Sequence, residues 1–186
     1  MRIVLLLLVV SGLLQGCFPV VAAGAGAGVM MAQDRRTSGA YIEDEAIENK
    51  AMDRIGKQFG DKVHVNTTSY NRNVLLSGEV PDENTKAQVE RIVANILNVR
   101  VIYNELTIGE QSSLTSRSND TLITSNVKLR FVDDQRFSAT TVKVVTEYGT
   151  VFLMGIVNHA EADAAAEVAS GSKGVSRVVK LFEYVD

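Results

Sequence analysis

The chain has 186 residues, with 22 acidic against 19 basic side chains, 46% hydrophobic residues and 6% aromatic ones. A formal charge of −3 with so few aromatics excludes a nucleic-acid footprint, which is basic and usually aromatic-rich. A single cysteine, Cys17, excludes an internal disulfide.

The N-terminus carries Arg2, an apolar run over residues 3–10, and then Leu14-Gln15-Gly16-Cys17. A charged start, a short hydrophobic core and a small-residue cleavage site are the layout of a secretory signal over residues 1–16. The Leu-x-Gly-Cys ending resembles the bacterial lipobox, in which the cysteine becomes the first mature residue. That resemblance implies Cys17 as the lipid-attachment residue, bearing palmitate or a similar acyl chain. Phe18 stands where an Asp would signal inner-membrane retention, so the sorting rule implies the outer membrane, facing the periplasm. A rival reading makes residues 3–32 one uncut span, long enough because a span needs about 20 apolar residues. Pro19 and Gly24-Ala25-Gly26-Ala27-Gly28 argue against a regular helix there. Acylation suffices as an anchor, at about 0.8 kcal/mol per buried methylene. Losing Arg2 with the signal leaves 18 basic against 22 acidic side chains. Residues 17–42 lack apolar periodicity and read as a lipidated flexible tether.

The remainder is a tandem repeat. Asp44-x-x-Ile47-x-x-x-Ala51-x-x-x-Ile55 returns as Asp120-x-x-Ile123-x-x-x-Val127-x-x-x-Phe131. Val74-Leu75-Leu76-Ser77-Gly78-Glu79-Val80 returns as Val151-Phe152-Leu153-Met154-Gly155-Ile156-Val157, and Val99-x-x-Ile102 as Val175-x-x-Val178. Three blocks in one order identify a duplicated module. In each copy the i, i+4, i+8 stripe predicts a first helix, with Asp44 and Asp120 expected as its N-cap. Two β-rich runs follow (63–69 and 74–80; 142–146 and 151–157), with Asn71-Arg72 and Tyr148-Gly149 at hairpin tips. A second helix is expected over 82–97 and 161–170, and a closing strand over 99–108 and 175–185. Residues 109–118, polar and Ser-rich, form the linker. Lobes of about 65 residues bury only about 60% of their unfolded surface, so mutual packing would help both. Gly78 and Gly155, repeated mid-strand, point to a close backbone approach.

This order resembles the BON domain of bacterial envelope proteins: an Asp-x-x-Ile opening helix, a Val-x-Leu-x-Gly-x-Val strand, an Ala-containing second helix and a Val-x-x-Val closing strand. Asn98 departs from the pattern where copy two keeps Gly174, but Asn tolerates left-handed geometry. The fold expected is therefore α+β: two tandem BON lobes at 43–108 and 119–186, each α-β-β-α-β with a three-stranded mixed sheet on two helices. Two BON copies behind a lipobox resemble the dual-BON outer-membrane lipoproteins. That implies a non-enzymatic protein that binds anionic phospholipid and supports envelope integrity. The alternative is an interaction module or scaffold assisting outer-membrane protein assembly, with the β-barrel assembly machinery as partner.

Chemistry-bearing motifs are sparse. His64 and His159 occupy non-equivalent positions without a Cys, Asp or second His at ligand spacing, so no metal or cofactor is expected. Asp133-Asp134 reads as a solvated loop, and Asn66-Thr67-Thr68 and Asn119-Asp120-Thr121 as sequons of little weight here. Differences between the copies say more. Ala46 and Asp53 become Leu122 and Leu129, beside Lys128 and Arg130, while the charge changes from −3 over 43–54 to +1 over 119–130. Extra leucines with basic neighbours suit an anionic bilayer surface, which makes Leu122, Leu129, Lys128 and Arg130 the phospholipid-binding candidates; packing on the other lobe is the competing use of the leucines. Leu75, Ser77 and Glu79 become Phe152, Met154 and Ile156, an apolar second sheet face that needs cover. These three are the interface candidates, against the other lobe or a partner protein.

Intact-mass measurement of the mature protein should show loss of residues 1–16 and the added mass of acyl chains on Cys17. An unprocessed N-terminus would contradict the lipobox reading.

Overall fold

The computed structural model describes residues 34–185. Cys17, the expected signal and most of the expected tether lie outside the described residues. Helix α1 (Ser38–Phe59) opens the first lobe, followed by strands β1 (His64–Tyr70) and β2 (Asn73–Val80). Helix α2 (Glu83–Ala94) and strands β3 (Val101–Asn104) and β4 (Thr107–Ile108) complete it. The second lobe runs α3 (Leu114–Asp133), β5 (Val142–Glu147), β6 (Thr150–Val157), α4 (His159–Ser170) and β7 (Arg177–Tyr184). In each lobe the second strand is central, antiparallel to the first and parallel to the last. The first lobe's closing strand is broken around buried Leu106, so β3 and β4 pair separately with β2 and that sheet has four strands.

Helices cover one face of each sheet. Ile47, Ala51 and Ile55 pack with Val74, Leu76, Val80, Val89 and Val93. Ile123, Val127 and Phe131 pack with Val151, Leu153, Val157 and the alanines of α4. The opposite faces meet each other. Leu75 of β2 packs with Phe152, Met154 and Ile156 of β6 and Leu181 of β7, with Tyr70 at the edge.

Both first helices begin earlier than the apolar stripe suggests. Thr37 and Ser113 are the N-caps, accepting from the amides of Ala40 and Ser116. Residues 38–42 and 114–118 are therefore helical, not tether and linker. Asp44 and Asp120 lie two turns inside, buried, and hold the hairpin tips instead of capping. Asp44 accepts from the amides of Asn71 at 2.8 Å and Arg72 at 2.7 Å, and from the Ser69 hydroxyl at 2.7 Å. Asp120 accepts from the amides of Tyr148 and Gly149, both at 2.9 Å. Each tip has positive φ at both central residues: Asn71 49°, Arg72 66°, Tyr148 50° and Gly149 72°. That is a type I′ turn, whose twist matches the flanking strands. Arg72 and Tyr148 are strained there by about 1–3 kcal/mol each, which the charged hydrogen bonds offset at about 1.5–3 kcal/mol apiece. Asn98 takes φ 71° and its counterpart Gly174 φ 91°, so the substitution keeps the left-handed geometry.

The repeated mid-strand glycines admit a neighbouring carbonyl. A Cβ on Gly78 would meet the His64 carbonyl oxygen at 2.1 Å, and one on Gly155 the Thr141 carbonyl oxygen at 2.5 Å.

Asp120→Ala leaves two turn amides without their acceptor and should destabilise the fold by about 1–3 kcal/mol in urea. Asp44→Ala should cost more, because its carboxylate holds additional donors. Unchanged denaturation midpoints for both would refute the turn-clamp account.

Candidate functional site

The candidate site is the outward face of α3. Its inward face is set by Asp120 on the hairpin tip and by Ile123, Val127 and Phe131 in the core. With those positions fixed, Leu122 and Leu129 must point outward, and they are 63% and 65% exposed. Neither belongs to the apolar cluster between the lobes. Leu114 and Val132 are exposed as well; at 3.6 residues per turn all four fall within an arc of about 80°. Lys128 and Arg130 are exposed on either side of this strip. Lys128 forms no ion pair among the described residues, and Arg130 donates to the Ser172 hydroxyl at 3.1 Å. The equivalent strip of α1 carries half-buried Ala46 and exposed Asp53, the latter paired with Lys57 at 2.7 Å. Ile42 and Met52 are exposed on α1, but among Glu43, Glu45 and Asp53. Leu114 and Val132 lie beyond residues 119–130, and the full length of α3 brings them onto the same face.

Phe152, Met154 and Ile156 are buried in the cluster between the sheets. That face has no room for a partner protein, so any assembly partner must use another surface. A polar rim surrounds the cluster. Lys143 reaches Glu48 at 2.9 Å and the Ser69 carbonyl at 3.2 Å. Asn71 donates to Glu183 at 2.8 Å, and the Tyr70 hydroxyl to the Thr141 carbonyl at 3.3 Å.

The end of the expected tether is fixed at this seam. Arg36 pairs with Asp34 at 2.7 Å and Asp44 at 2.9 Å and stacks over Tyr70 at 4.1 Å. Arg35 pairs with Glu161 at 2.6 Å and donates to the Ile156 carbonyl at 3.0 Å. One arginine thus engages each lobe.

His64 lies in β1 and faces Glu79 at 2.9 Å. His159 begins α4 and stacks on Tyr184, ring centres 4.2 Å apart. A cleft of about 500 Å³ opens beside His64, lined also by Asn66, Arg117, Thr121, Lys128 and Glu147. Burial pushes the Glu147 carboxyl above its ordinary range, eased by the hydrogen bond from Asn66 and the field of His64.

The BON domain model matches residues 43–110 and 119–186. The chain belongs to the BON-domain family. It is 39% identical over 175 residues to the outer membrane lipoprotein DolP of Haemophilus influenzae, covering 93% of this chain and 91% of that protein. It is 36% identical over 154 residues to the 21 kDa hemolysin of Actinobacillus pleuropneumoniae, covering 82% of this chain and 79% of that one. Among solved structures, CdsD, a structural protein of the type III secretion system of Chlamydia trachomatis, matches at 13% identity with a TM-score of 0.31, over 74% of this chain and 91% of that one. This chain is a dual BON-domain outer-membrane lipoprotein with an envelope role. No helix of the described residues is long and apolar enough to cross a membrane.

Proposed function

We propose that the second BON domain binds anionic phospholipid through the outward face of α3, as a non-enzymatic part of the protein's envelope role. The observation that carries this reading is the exposed strip of Leu122 and Leu129, placed by a helix whose other face is committed to the core. In a bilayer interface these leucines would sit at the acyl boundary, with Lys128 and Arg130 at the level of the phosphates. Each basic residue contributes about 1 kcal/mol near such a surface, and the attraction is screened by salt. The leucines add apolar burial, worth at most about 1.5–3 kcal/mol each when complete. Such a sum gives weak, reversible binding. Tethered by an acyl anchor to the same membrane, a weak surface becomes effective because its local concentration is high. The first lobe supports the contrast, since Asp53 and its acidic neighbours on α1 would be repelled.

In the anchor-free fragment 33–186, Leu122→Glu should reduce binding to anionic vesicles by at least about tenfold while leaving the far-ultraviolet circular dichroism unchanged. Ala46→Glu should have little effect. Normal binding by Leu122→Glu, or equal binding of the wild type to neutral vesicles, would assign the leucines to a protein interface.

A further inference from the structure

The seam between the lobes brings together side chains from three strands that no sequence spacing connects. His64 of β1, Glu79 of β2 and Glu147 of β5 each place a ligand atom within 4.8 Å of the other two. Glu79 and Glu147 are only 6% and 9% exposed, and neither forms an ion pair with a Lys or Arg among the described residues. Two buried carboxylates facing one imidazole leave negative charge uncompensated, an arrangement that is costly unless a proton or a cation neutralises it.

We propose that His64, Glu79 and Glu147 form a binding site for a first-row transition-metal dication of the zinc type, clipping the two BON lobes together. Imidazole with carboxylates is a donor set suited to such ions, whereas magnesium and calcium take oxygen ligands alone. Bond lengths of about 2.0–2.2 Å place tetrahedral ligand atoms roughly 3.3 Å apart, so small rotamer changes would close the present cluster onto an ion. Outer partners that orient the two carboxylates are in place. The amide of Ser112 donates to Glu79 at 3.0 Å, and the Asn66 side chain donates to Glu147 at 2.9 Å. The cations of the adjoining cleft do not compete for the carboxylates. Arg117 is held by the Ser112 carbonyl and hydroxyl at 3.1 and 3.2 Å, and Lys128 is exposed to solvent. Three protein ligands leave a position open toward the cleft for water. Because Glu147 comes from the second lobe and the other two ligands from the first, an ion here ties the lobes at one edge of their shared core. This site is independent of the lipid reading of α3.

The test is equilibrium dialysis of the full chain in detergent against zinc, with magnesium as the comparison ion. The expected result is one zinc per chain, bound at least tenfold more tightly than magnesium and raising the thermal midpoint. His64→Gln and Glu147→Gln should each weaken binding tenfold or more, and His159→Gln should leave it unchanged. A readout that needs no variant is available because the chain has two histidines: zinc should shift the ring resonances of His64 and not those of His159. Absence of stoichiometric zinc, binding that survives both ligand substitutions in folded protein, or a shift confined to His159 would each overturn the proposal.

Discussion

The contact on which the architecture depends is the meeting of two sheet faces that no helix covers. Each lobe packs its helices on one side of its sheet, leaving the other side apolar in copy two and mixed in copy one. Leu75 alone supplies a large aliphatic side chain from β2, and Phe152, Met154 and Ile156 close over it. Ser77 and Glu79 share that first-lobe face and are buried with it. The asymmetry follows from the joining of the copies. One lobe contributes the hydrophobic bulk, and the other contributes polar groups that must find partners across the seam. Asn66 and Ser77 find Glu147 at 2.9 and 3.4 Å. A shared core of this kind makes up for the small burial available to a lobe of this size.

Back-to-back packing also decides what remains outside. With both inner sheet faces consumed, the helices form the outer layers, and their outward faces meet the surroundings. On α1 that face is acidic and partly paired. On α3 it is an apolar strip with basic flanks. The divergence of the copies thus has two separable physical uses: the strand changes build the seam, and the helix changes alter an exposed surface. The buried aspartates connect the two. Asp120 joins α3 to the tip of the β5–β6 hairpin, so the helix that exposes Leu122 is fixed in rotation relative to the sheet that buries Phe152.

Duplication made most of the fold legible, because every element could be read twice. The hairpin tips, the helix stripes and the close approach at Gly78 and Gly155 follow from repeated residues. Helix starts are not legible: Asp44 and Asp120 have the chemistry of N-caps and precede the first stripe residue, while the true caps Thr37 and Ser113 precede turns that lie outside the apolar stripe. Nor could local sequence show that Arg35 and Arg36 are held at the seam, since their partners lie in both lobes. The His64, Glu79 and Glu147 cluster needed the register of β1 on β2 and the docking of β5, both of which are tertiary facts. Leu122 and Leu129 stand out in the sequence only against Ala46 and Asp53 at the equivalent positions, whereas Leu114 and Val132 join the strip only once the full length of α3 is known.

The most direct test of the account is a depth measurement. Environment-sensitive labels at positions 122, 129, 46 and 53 of the anchor-free fragment, bound to anionic vesicles containing lipids brominated on their acyl chains, report which face enters the bilayer. The account predicts strong quenching at 122 and 129 and none at 46 and 53. Labels at 122 and 129 that remain in water, or equal quenching at all four positions, would contradict it.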